Sequence, residues 1–90
     1  MDSEILIKNL KNSWKKVYLW KDKPNELYGI HSHDYDVKLI ILEGDIGIKL
    51  HEKEIELSAG NEIHIKPFEE HEATVGKYGC TYIVAEVRKT

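Results

Sequence analysis

The sequence predicts a small all-β domain, a closed barrel or two-sheet sandwich of about eight short strands. Three observations lead there. Apolar and polar residues alternate at a period of two, as where Ile46, Ile48 and Leu50 interleave with Gly47, Lys49 and His51, the pattern of a half-buried strand. Turn-forming clusters recur at short intervals, at Lys21–Asn25, Glu43–Asp45, Ser58–Asn61 and Gly76–Gly79, the spacing expected of a sandwich or barrel. Beyond the first sixteen residues no stretch carries a helical period.

Ninety residues make one domain, expected as an N-terminal segment over 1–16 and a barrel over 17–90. In the first part, Ile5, Leu6, Leu10 and Trp14 could form one side of a short helix, and Ile5–Ile7 could equally open a strand. Both readings stay open. Val17–Trp20 is β-rich and runs into the turn at Lys21–Asn25. Leu27–His33 is the next strand, and Val37–Leu42 is the most apolar and so the central one. Gly44 in the following turn can take positive φ at little cost. The strand through Ile46 and Leu50 returns, after a tight turn near Glu52-Lys53, as the strand of Ile55 and Leu57. Ile63 and Ile65 form another, ended by Pro67. Ala73 and Val75 lie on the next, and Thr81–Val87 is the last. Closing such a set removes exposed edges. A barrel of about eight strands has room inside for packed side chains or one small ligand.

Composition excludes several classes of function. With 41% apolar and 32% charged residues, the chain has the make-up of a globular domain rather than a disordered one. The net charge is −3 and the two signs are interspersed, so no basic face is presented to nucleic acid. No apolar run approaches the ~20 residues needed to span a bilayer. Met1-Asp2-Ser3-Glu4 is acidic, with no signal-peptide pattern after it, and Cys80 is the single cysteine. Both features lead to the expectation of a cytoplasmic protein.

The chemistry concentrates in the histidines. His31 and His33 are two apart on an expected strand, so their side chains share a face and can converge on one ion. A third ligand from a neighbouring strand would complete a facial set. His71, just beyond the Pro67-Phe68-Glu69-Glu70 turn, is placed to supply it. Three neutral imidazoles with open positions suit a divalent transition metal: Zn, Fe, Ni, Mn or Cu. His51 lies near a turn in the polar phase of its strand and is expected in solvent. His64 alternates with Ile63 and Ile65 and is a further candidate for the pocket lining. Glu69 and Glu70 could do acid–base work but read more simply as solvated turn residues. Tyr35, Tyr78 and Tyr82 could edge a pocket, although strand aromatics usually pack. Cys80 reads as a small buried apolar residue.

From Leu27 to Val87 the chain resembles the cupin superfamily. The first cupin motif, Gly, five residues, His-x-His, three or four residues, Glu, six residues, Gly, is matched by His31-Ser32-His33 and by Gly44. The second, Gly, five residues, Pro-x-Gly, two residues, His, three residues, Asn, is matched by Gly60 and His71, with Pro67 one position late. The first motif's opening glycine falls at Asn25 and its glutamate at Val37, while the second motif's asparagine falls at Val75. The resemblance implies a cupin-type double-stranded β-helix, a jelly-roll barrel, with His31, His33 and His71 as metal ligands. Val37 cannot bind a metal. Asp36 beside it would reach the ion only if the chain bulged there, because a one-residue slip turns a strand side chain to the other face.

Two functions follow from that resemblance. One is a metal-dependent enzyme acting on a small molecule, of dioxygenase, isomerase or lyase type; a shared fold does not choose among these. The other is a non-catalytic domain that binds or senses a metal or small ligand. A structural role with an empty site is a third. The expected partners are a small-molecule ligand and a second copy of the chain, because so small a barrel has little core of its own. No catalytic residue can be named from the sequence.

Overall fold

The computed structural model of the chain describes residues 2–90. A short helix, α1 (Ser3–Leu10), precedes six strands: β1 (Trp14–Asp22), β2 (Leu27–His31), β3 (Val37–Leu50), β4 (Lys53–Ser58), β5 (Glu62–Ile65) and β6 (His71–Arg88). The open question over the first residues is settled in favour of the helix for Ile5, Leu6 and Leu10, whereas Trp14, expected on the same helix side, opens β1 and is buried. Asp2 caps it, its side chain accepting from the amides of Glu4 and Ile5 at 3.0 and 3.4 Å, which satisfies donors that the first turn leaves free. Among the described residues no helix is long and apolar enough to cross a membrane.

All pairings are antiparallel. β6 is the shared spine. Its first half pairs with β2 and with the second half of β3; its second half pairs with β1 and with the first half of β3. β5 and β4 extend the two halves of β3. The sheet therefore folds over on itself, and residues of both halves meet in one core that includes Val37, Ile41, Ile46, Ile48, Val75 and Tyr82. This is an all-β jelly-roll barrel, as expected.

The strand count differs from the expected eight, for a visible reason. The turns read at Glu43–Asp45 and Gly76–Gly79 do not break the ladder; they bend it. Gly44 (φ 75°) and Gly79 (φ 80°) both take left-handed backbone. A Cβ on Gly44 would stand 2.0 Å from the Gly79 carbonyl oxygen. The two long strands thus bend side by side, with the pairing shifted in register around Gly44, and each counts as one strand rather than two. Between β3 and β4, His51 (φ 53°) and Glu52 (φ 64°) form a two-residue hairpin with both central residues left-handed, the geometry that matches strand twist.

Candidate metal centre

The end of β2 and the start of β6 lie side by side, and the register sets His31 directly opposite His71. His33 stands two residues past β2, where its carbonyl accepts from the Phe68 amide at 2.7 Å. That bond ties the loop after β2 to the loop before β6, so the three histidines, from β2, the loop after it and β6, are held as a group. Their candidate ligand atoms all lie within 4.8 Å of one another. The ring centroids are 4.3 Å apart for His31 and His71, 5.0 Å for His31 and His33, and 5.2 Å for His33 and His71.

The hydrogen bonds fix two of the tautomers. Nδ1 of His31 lies 2.7 Å from the Gly29 carbonyl and Nδ1 of His71 lies 2.9 Å from the Glu69 carbonyl. A carbonyl only accepts, so each Nδ1 carries the proton and each Nε2 presents a lone pair. This is the backbone support typical of metal-bound histidines. Nδ1 of His33 is buried without a hydrogen-bond partner. Burial pushes the pKa of His33 down, and the neighbouring His71 and His31 push it further; the neutral ring so favoured is the form that binds metal. The donor set, the two fixed tautomers and the unpartnered buried nitrogen all fit a divalent transition metal.

The group stands at one end of a cavity of about 270 Å³, at the small end of the range for ligand pockets. Its floor is apolar, with Leu39, Ile46, Ile48 and Ile65, and Tyr18, Trp20, Tyr28 and Tyr82 form a wall. Behind that wall Asp22 is buried, 4% exposed. It accepts from the Tyr82 hydroxyl at 2.6 Å, from the Trp20 indole at 2.8 Å and from the Tyr28 hydroxyl. Three donors satisfy a carboxylate that would otherwise be costly to bury, and they lock the aromatic wall in place. Glu86 is the one carboxylate among the residues that line this cavity.

The remaining sequence candidates lie elsewhere. Asp36 and His64 are not part of the cluster; they pair with each other, Nε2 to Oδ1 at 2.7 Å. His64 faces a groove beside α1 and packs edge-on against Trp14. The chain does not bulge to bring Asp36 inward. His51 is exposed and bonds Glu69 at 2.5 Å; Glu69 is held below its usual range by the Lys66 amide and then by His51. Glu70 and Tyr78 are exposed, whereas Tyr35 packs 5.2 Å from the His33 ring. Cys80 belongs to the core, and burial pushes its thiol up to about 11, far from a reactive thiolate.

Sequence reasoning passed over Tyr18, Trp20, Asp22 and Glu86. The signal was present in phase. Tyr18, Trp20 and Asp22 alternate along β1, and Glu86 continues the phase of Tyr82 and Val84 in an otherwise apolar run.

Comparison with protein-family models and with curated proteins gives no match. Solved structures do match. KdgF from Halomonas sp. superposes with a TM-score of 0.74 at 16% identity, over 82% of this chain and 68% of that one. A cupin-2 domain containing protein from Shewanella frigidimarina gives 0.67 at 26% identity, over 81% and 69%. The Cnp3 cupin domain of Schizosaccharomyces pombe gives 0.74 at 8% identity, over 81% and 55%. The chain thus spans a little over half to about two thirds of the length of these structures. The fold is the cupin barrel, and the chain is a small cupin-type protein.

Proposed function

We propose that this protein binds one divalent transition metal through His31, His33 and His71 and holds a small molecule on it, inside the barrel. The observation that carries the reading is the convergence of three imidazoles within 4.8 Å at the end of an apolar cavity. Three protein ligands leave coordination positions open, as catalytic sites do and closed structural sites do not. When bound, such an ion supplies Lewis-acid or redox chemistry to a ligand beside it. The protein's part is to hold the three rings oriented toward one point and to surround the ligand with apolar and aromatic side chains that exclude water. We infer small-molecule turnover of the dioxygenase, isomerase or lyase type. Val37 at the glutamate position of the first motif favours a second reading, a non-catalytic binding or sensor domain, because a buried valine adds no carboxylate to the ion.

Elemental analysis of protein purified without chelator should give one metal per chain. His31→Ala, His33→Ala and His71→Ala should each lose most of it while circular dichroism stays that of the wild type. Full occupancy in His71→Ala would overturn the assignment. A panel of small oxygenase and isomerase substrates then separates enzyme from binder.

A further inference from the structure

We propose that Glu86 selects the cavity's ligand by recognising a protic group, a hydroxyl or amine, carried beside the metal-binding head of a small aromatic or apolar acid. The proposal rests on the metal reading above and deepens it.

The position of Glu86 follows from register. It is paired on one side with Val37, the first residue of β3, and on the other with Lys16. His33 lies four positions before Val37, so Glu86 stands at the histidine end of the barrel, on the half of β6 that does not carry His71. Its negative charge is felt at His33. The carboxylate lines the same cavity as the three histidines but is not among the groups whose ligand atoms cluster within 4.8 Å. Its side chain is 16% exposed and accepts from the Tyr18 hydroxyl at 3.2 Å. Lys16 reaches it from the solvent side at 3.7 Å.

The backbone beside it is strained. Val87 has φ 60°, a conformation that costs a β-branched residue heavily. Its amide donates to the Asp36 carbonyl at 3.1 Å, which fastens the loop carrying Tyr35 against β6. Strain of this kind persists where surroundings over-determine it, and it gathers at binding sites. Here the bond to Asp36 anchors the end of the strand that carries Glu86.

The chemistry of the ligand follows from the lining. With a dication held by His31, His33 and His71, this end of the cavity would be positive and would favour an anionic oxygen. The apolar floor and aromatic wall take a hydrocarbon or ring. A carboxylate only accepts hydrogen bonds, so Glu86 adds a demand for a donor near the ion and repels a second acid group.

The probes are mandelate, an aromatic acid with a hydroxyl beside its carboxylate, and its O-methyl ether, α-methoxyphenylacetate, which lacks that proton. Metal content is measured first, and a metal-free wild type would sink the earlier reading before any probe is added. On metal-loaded wild type, calorimetry should show mandelate binding about tenfold tighter than its ether, as expected for a hydrogen bond to a charged group. Glu86→Gln should keep one metal per chain and reduce the preference to about threefold or less, and Glu86→Asp should lie between. Equal binding of the two probes to wild type, binding of neither, or an undiminished preference in Glu86→Gln would each overturn the proposal. So would loss of metal from Glu86→Gln on the scale of the histidine variants, since Glu86 would then be a ligand.

Discussion

Single side chains here are governed by whether their polar atoms find partners. His33 is the case with consequences for pH. Because its folded pKa lies below the ordinary value, the unfolded chain takes up a proton more readily than the folded one. Between the lowered pKa and ~6.5 the unfolded state holds more protons, so the metal-free protein should gain stability as pH rises through that window and hold it above. Thermal melts across that range test this, and a melting temperature that falls as pH rises toward 6.5 would contradict it. Bound metal should be released over the same range, since ligand imidazoles must be neutral. Asp22 is the opposite case, a buried carboxylate with three donors. Asp22→Ala leaves the Tyr82 hydroxyl buried without an acceptor, at about 1–3 kcal/mol. Tyr82→Phe leaves Asp22 with two donors and should cost about 1 kcal/mol. Urea unfolding of the two variants should return them in that order.

Among the elements, the two bent strands make the sharpest prediction. Gly44→Ala meets both a left-handed φ and the Gly79 carbonyl at 2.0 Å, whereas Gly60→Ala (φ 92°) meets open space. The second should cost the backbone term alone, about 1–2 kcal/mol, and the first distinctly more, with the hinge of both long strands disturbed. If urea unfolding shows equal losses, the close approach is not what constrains Gly44. The same bends show what the sequence does and does not display. The alternation of Ile46, Ile48 and Leu50, and the glycine at each corner, reveal strands and their faces. They do not reveal that Gly44 and Gly79 bend in register, because that depends on a partner 35 positions away (79 − 44). The histidines were legible because His31 and His33 lie two apart, at and just past the end of β2, and His71 follows a turn. Glu86 showed only its phase, shared with Tyr82 and Val84; its place beside the histidines is set by pairing with Val37 on the neighbouring strand. Phe68 is a third instance: it stands where the motif has glycine and keeps the left-handed bend (φ 64°) with a bulky, exposed ring, held by the hydrogen bond its amide donates to the His33 carbonyl rather than by residue type.

For the molecule as a whole, we propose a homodimer joined through the side that carries α1. The helix lies against β1 and β6 but buries none of its residues fully. Ile5 stays 58% exposed and Leu19 49%, and Leu19 lines a groove with Ser3 at the start of the helix. A two-fold contact over these residues would cover apolar surface that the single chain leaves in water. Light scattering should give twice the chain mass at micromolar concentration, and Ile5→Glu with Leu19→Glu should halve it. A monomer across that range in the wild type would rule the contact out.

β6 touches β1, β2 and β3, and so belongs to both halves of the folded sheet. Neither half can exist without it, and Trp14 at the start of β1 pairs with Arg88 at the end of β6. The chain therefore has no smaller foldable piece: it should assemble late and slowly, as chains dominated by distant pairings do, and open all at once. Amide hydrogens of β1 and of β4, at opposite margins of the ladder, should then exchange with solvent through one shared opening event. An ion gripped at the start of β6 should slow them together, even where they lie far from it.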